Sequence, residues 1–203
     1  MACIETPSVD QACSGVRVLS ARQQDHWGYV PNYAKLFSHR PESLARWGRL
    51  LAELRRPVSD RRFELVTLTA ALALRSTPCA LAHGHALAQL CDDETVLAVA
   101  QCREAEVLEA AEVVMVRFAR AVAIDATAVT ATHVSDLRAY GFSDAEIFDI
   151  AALAAARSFL TKLMDGLGCQ ADSALPVTNT ELNSALTVGR PVDGAPVERL
   201  SAE

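Results

Sequence analysis

The sequence predicts an all-α protein, and three observations carry that expectation. Apolar residues make up 51% of the 203-residue chain while aromatics make up only 5%, so the core is mainly Ala, Leu and Val. Such a composition favours close-packed helices over sheets. Apolar positions recur three or four residues apart, as in Val107, Leu108, Ala111, Val114, Met115, Phe118 and Val122. No strand signal competes anywhere in the chain.

Taken in order, residues 1–30 are mixed and poorly periodic, and an irregular N-terminal arm is expected there. Gly28-Tyr29-Val30-Pro31-Asn32 reads as a turn into a short helix through Leu36. Pro41 starts a helix to Arg55, with Leu44, Trp47, Leu50, Leu51 and Leu54 on one face. Pro57-Val58-Ser59-Asp60 is a stop followed by a cap, and the next helix carries Glu64. That helix should end near Arg75 or Ser76, because the residue before Pro78 avoids the α region. Thr77 or Ser76 then caps a helix running to about Leu90, with Pro78 suited to its first turn. Asp92 or Asp93 caps a short helix to about Ala100, and Glu104 to Ile124 reads as one long helix. Thr130 or Thr132 opens a helix closed at Gly141. Ser143-x-x-Glu146 is a capping-box pattern before a helix to about Leu167. The helical domain is therefore placed at 31–168. Pro176, Gly189, Pro191, Gly194 and Pro196 mark 169–203 as an extended C-terminal arm, with Leu182 to Val188 its segment suited to packing.

Several function classes are disfavoured. A net charge of −6 argues against a nucleic-acid surface. The Arg55-Arg56 and Arg61-Arg62 pairs read as a solvated helix end and the loop after it. No apolar run reaches the roughly 18 residues of a membrane span. The N-terminus shows no secretory signal. The six cysteines lack disulfide-framework spacing, so a reducing cytoplasm is expected. Trp27, Tyr29 and Trp47 are expected in the core or at an interface rather than against a ligand. The Ala-rich helices and two arms point to a homo-oligomer, with arms crossing to neighbours.

The chemistry is concentrated between Glu64 and His85, ELVTLTAALALRSTPCALAHGH. Cys79 falls in the first turn of a helix, where unpaired N–H groups and the positive dipole end favour a thiolate. His83 follows one turn later and roughly 40° around the helix, so it shares a face with Cys79, while His85 points nearly the opposite way. A cysteine with a histidine one turn on is a nucleophile-and-base arrangement. Glu64, an acid inside an apolar helix, needs a partner, and His83 and Arg75 are the candidates. A metal site from Cys79, His83, His85 and Glu64 is not expected, because the histidines diverge and no ligand pair has finger-like spacing. No cofactor is implied, and Ser76 lacks a nucleophile-elbow context. An 82-residue shift lays Glu64 on Glu146, Arg75 on Arg157, Ser76 on Ser158, Leu81 on Leu163 and Gly84 on Gly166 without a gap. A duplicated helical unit is expected from that match, with Thr161 and Asp165 in the places of Cys79 and His83.

These residues resemble the carboxymuconolactone decarboxylase and alkylhydroperoxidase D-like superfamily, in its peroxidase-related branch. The carriers are Gly28 to Asn32, Phe37-Ser38-His39-Arg40-Pro41-Glu42, Glu64 followed by Cys79 and His83, Gly141 to Ile147, and Ala156-Arg157-Ser158-Phe159. The resemblance implies an all-α, oligomeric helical bundle with an internal duplication. It also implies reduction of hydrogen peroxide or an organic hydroperoxide, with Cys79 as the attacking thiolate, His83 as the distal histidine and Glu64 as the relay acid. The family's resolving cysteine is Ser76 here, and the residue before the second cysteine is Pro78. A serine cannot form a disulfide, so an external thiol reductant is implied. Cys91 is the next cysteine, but twelve residues along one helix is about 18 Å. Ser76 is a candidate hydrogen-bond donor to the thiolate. The alternatives are a lactone-decarboxylating lyase using His83 and Glu64 with Arg75 as the basic group, and a non-catalytic helical oligomer.

Overall fold

The computed structural model describes residues 2–7, 14–174 and 179–194. Within them the regular secondary structure is helical: α1 (Ser14–Trp27), α2 (Asn32–Leu36), α3 (Pro41–Arg55), α4 (Asp60–Ala73), α5 (Thr77–Ala88), α6 (Asp93–Ala100), α7 (Ala110–Asp125), α8 (Ala131–Ala139), α9 (Asp144–Gly166) and α10 (Thr180–Leu186). Cys13, Pro176 and Pro196 lie outside the described residues.

The fold is built around α4. Every residue from Phe63 to Ala71 is buried, because α5, α7 and α9 pack on different sides of this helix. A helix apolar all round is stable only in that position. Its start is capped by Ser59, whose side chain accepts from the Arg62 backbone N–H. Its end is a Schellman turn: Ser76 N–H donates to Ala71 O at 2.9 Å and Arg75 N–H to Leu72 O at 3.0 Å. Arg75 occupies the left-handed position with φ 56°. The chain then reverses, so α5 runs back along α4.

The expected elements form with three differences. Residues 14–27, expected to be irregular, are the helix α1, whose only buried residues are Val16 and Ser20. Its sequence shows little amphipathic signal because the face it turns inward meets a cavity. The long helix expected from Glu104 begins at Ala110, after a 3-10 turn at Glu104–Glu106. Buried Glu104 holds that turn through Arg120 at 2.9 Å. Third, the 82-residue correspondence lays the single helix α9 over the α4–α5 break. Leu160 stands where Pro78 stands, so nothing interrupts the second stretch.

The C-terminal segment returns over its own chain. Leu182 and Leu186 of α10 are buried, and Leu186 packs against the Cα of Gly84, where any Cβ would meet it. Beyond α10, Arg75 Nε donates to Val188 O at 3.1 Å and Gly189 N–H to Thr77 Oγ1 at 2.9 Å. No helix among the described residues is long and apolar enough to cross a membrane.

Candidate active site

The antiparallel α4–α5 pair brings Glu64 to His83 across nineteen residues of sequence. His83 Nδ1 lies 2.7 Å from Glu64 Oε2, and both side chains are largely buried. A carboxylate at Nδ1 makes that nitrogen the protonated one, which leaves Nε2 with a lone pair. Thr67 Oγ1, whose own proton goes to Phe63 O at 2.7 Å, sits 3.3 Å from the same Nδ1. Burial holds the His83 pKa below its ordinary 6.5, and the Arg157 charge lowers it further, against the hydrogen bond and charge of Glu64. His83 is therefore a neutral imidazole near pH 7.

Cys79 is in the first turn of α5, 4% exposed, after the N-cap Ser76. Arg157 of α9, also 4% exposed, donates from Nη1 to Cys79 Sγ at 3.8 Å. Among the described residues no carboxylate lies within ion-pair distance of Arg157, and its Nε has no hydrogen-bond partner. A buried guanidinium without a carboxylate is costly, on the order of several kcal/mol. Among the described residues Cys79 Sγ is the side-chain acceptor placed against that guanidinium.

Arg157 is the functional residue missing from the sequence reading. Arg75, chosen there for its nearness to Cys79, is exposed and tethers the C-terminal segment instead. The signal that could have found Arg157 was the 82-residue correspondence, which pairs these two arginines. Ser76 is fully buried and does not line the cavity described below; it faces Asp165, whose pKa burial raises against the opposing effect of the Ser76 hydroxyl. The neighbour of Cys79 Sγ is thus Arg157 rather than Ser76. His85 is bound to Asn183 at 2.7 Å and takes no part.

Cys79, His83, Glu64 and Arg157 all line one cavity of about 810 Å³. It lies between α1, α2 and α3 and the α4–α5–α9 core. Its walls include Trp27, Tyr29, Tyr33, Trp47, Phe63 and Met164, so Trp27, Tyr29 and Trp47 face open space rather than a closed core. Arg55 stacks over the Phe63 ring at 4.6 Å and pairs with Asp60 at 2.7 Å.

Two of the other described cysteines are poorly suited, by place or by chemistry, to resolving an oxidised Cys79. Cys91 lies beyond the far end of α5 and donates from Sγ to Leu87 O at 3.1 Å. Cys169 is buried beside Leu36 and Met164, and burial, with Asp172, Asp165 and Cys79 nearby, pushes its thiol up to about 12. A thiol that reluctant to ionise is a weak nucleophile.

The helical bundle thus gathers a cysteine at a helix start, a carboxylate-held histidine and a buried arginine around one cavity. No protein-family model and no curated protein matches the sequence. Solved structures do match in fold. An alkylhydroperoxidase AhpD core, an uncharacterized peroxidase-related protein from Ralstonia eutropha, superposes with a TM-score of 0.71 at 20% identity, covering 93% of this chain and 98% of that one. An uncharacterized peroxidase-related protein from a Silicibacter species gives 0.76 at 20% identity, covering 86% and 93%. The debrominase Bmp8 gives 0.69 at 15% identity, covering 89% and 96%. A cysteine-to-alanine variant of that debrominase, in complex with 2,3,4-tribromopyrrole, is similar at a TM-score of 0.66. The chain has the all-helical alkylhydroperoxidase-like fold of these peroxidase-related proteins, and that fold carries more than one activity.

Proposed function

We propose that the protein is a thiol peroxidase that reduces hydrogen peroxide or organic hydroperoxides through Cys79 alone. The observation that carries this reading is the buried Arg157 guanidinium at Cys79 Sγ, in the cavity that also holds the Glu64–His83 pair. His83 takes the Cys79 proton, and the thiolate, held by Arg157, attacks the terminal peroxide oxygen. An S–O bond forms as the O–O bond breaks, and the leaving alkoxide takes the proton back from His83. The products are the Cys79 sulfenic acid and an alcohol, or water where hydrogen peroxide is the substrate and hydroxide the leaving group. Because burial and Arg157 keep its pKa low, protonated His83 is a ready donor to that alkoxide. An external thiol then displaces water from the sulfenic acid to give a mixed disulfide, and a second thiol releases Cys79 as a free thiol.

Peroxide consumption with dithiothreitol tests the proposal. Wild type should turn over and Cys79→Ser should fall to background; equal rates would remove Cys79 from the mechanism. Fast alkylation of Cys79 at neutral pH should accompany turnover, and a rate equal to that of a free model thiol would sink the thiolate.

A second reading, reductive dehalogenation, is favoured by the volume and aromatic walls of the cavity and by the fold shared with a debrominase. There a carbon–halogen bond becomes carbon–hydrogen, halide leaves, and two thiols, Cys79 and an external one, become a disulfide. Halide release with dithiothreitol separates this from peroxide reduction. Lactone decarboxylation that survives Cys79→Ser would assign the cavity to a lyase instead. We also propose that the protein works as a soluble homo-oligomer in the cytoplasm.

A further inference from the structure

The cavity over Cys79 is far larger than the smallest substrate the proposed reaction admits. A water molecule occupies about 30 Å³ of liquid, so about 810 Å³ is room for many peroxide-sized molecules. It falls within the roughly 300–1,000 Å³ of pockets that enclose molecules of drug size.

Its walls are chemically selective. The chain is poor in aromatics, yet both of its tryptophans and two of its three tyrosines line this space, together with Phe63. The helices that carry most of them bury little else. No residue of α3 is fully buried, and the apolar face formed by Leu44, Trp47 and Leu51 meets the cavity. Trp47 is braced from behind by Phe159, with ring centroids 5.3 Å apart, which fixes one aromatic wall. The least exposed ionisable side chains of the lining are Arg157, Glu64 and His83, beside Cys79; half-buried Asp172 stands by Tyr29 and Tyr33, and the exposed Arg22, Glu42 and Arg55 complete the charged lining. Aromatic walls, with the most deeply buried polar groups gathered beside Cys79, orient a ligand that is apolar at one end and reactive at the other.

We infer that the substrate is an aromatic molecule, its ring against Trp47 and the tyrosines and its reacting group toward Cys79 and Arg157. For the peroxidase reading on which this rests, the substrate class is aryl-substituted hydroperoxides rather than hydrogen peroxide. Trp47 is the specificity-determining residue.

Two tertiary hydroperoxides test this, because cumene hydroperoxide and tert-butyl hydroperoxide differ by a phenyl in place of a methyl while the O–O bond is alike. With dithiothreitol, kcat/KM should be at least tenfold higher for cumene hydroperoxide, and Trp47→Leu should shrink that ratio several-fold. Calorimetric binding of the product alcohols, 2-phenyl-2-propanol and tert-butanol, to the wild-type chain reads the same preference without turnover. The phenyl alcohol should bind at least tenfold tighter. Equal binding of the alcohols, or equal kcat/KM for the hydroperoxides, overturns the inference. Selective binding of the phenyl alcohol without peroxide turnover upholds the aromatic site and sinks the peroxidase reading alone.

Discussion

Arg157 couples the two halves of the site, since its charge touches Cys79 Sγ and lowers the His83 pKa. Removing it should therefore change both residues. Arg157→Met should slow Cys79 alkylation at neutral pH by about tenfold, the effect of losing one charge-assisted contact worth about 1.4 kcal/mol. It should also raise the His83 pKa, seen by NMR titration of the ring, and an unmoved His83 would show that the charge does not reach it. In the wild type the sign is fixed by the depressed pKa. His83 is neutral in both folded and unfolded chains above 6.5. As pH falls below that value the unfolded chain binds the proton first, so stability declines toward the native pKa and is constant below it. A urea midpoint that rose between pH 6.5 and 5, once carboxylate effects were matched with His83→Gln, would contradict this. Glu64, Cys79 and His83 were legible in the sequence because their spacing is local to one helical pair. Arg157 was not, because its approach to Cys79 depends on how α9 crosses α5, seventy-eight residues away.

At the scale of elements, four helices among the described residues end in the same Schellman turn with a left-handed residue, and two of those four residues are glycine. Gly141 and Gly168 have φ 87° and 76°, whereas Arg75 and Cys102 have φ 56° and 57°. A side chain there costs about 1–2 kcal/mol, part of which glycine gives back through its freer unfolded chain. Cys102 is exposed, so Cys102→Gly should stabilise the protein by about 0.5–1 kcal/mol in urea unfolding. A loss of stability would mean that the Cys102 side chain makes a contact worth more than the strain. The same variant removes an exposed thiol from labelling experiments on Cys79. These non-glycine turns explain which boundaries the sequence showed. Pro78 announced the α4–α5 break, and Ser143 with Glu146 announced α9, because each is a residue type that forces or caps a terminus. Nothing of that kind separates Glu104 from Ala110, so one helix was expected where a turn intervenes. Helix α1 was hidden for another reason: its inner face meets a cavity, so it lacks the continuous apolar stripe that marks a core-facing helix.

For the whole molecule, the homo-oligomer we propose needs an apolar face that a second copy would cover, and α9 offers a candidate. On the outer face of α9, Phe148 is 66% exposed and Phe159 52%, with Ala152 and Ala156 between them, and Leu50 of α3 is 53% exposed alongside. Leu50, Ala152, Ala156 and Phe159 border a shallow recess that Trp47 also lines, on the far side of the wall it presents to the large cavity. A second copy seated on this row would remove two phenylalanines and a leucine from water, each worth about 1.5–3 kcal/mol when fully buried. It would also clamp Phe159 and, through it, Trp47. Light scattering after size exclusion should therefore find wild type as an oligomer and the Leu50→Glu, Phe159→Glu double variant as a smaller species. The variant should remain helical by circular dichroism, because neither side chain belongs to the core. Its advantage for cumene over tert-butyl hydroperoxide should fall as Trp47 loses its brace. A wild type that is monomeric at tens of micromolar would remove this face as an interface, and an unchanged substrate ratio in the dissociated variant would uncouple assembly from the cavity.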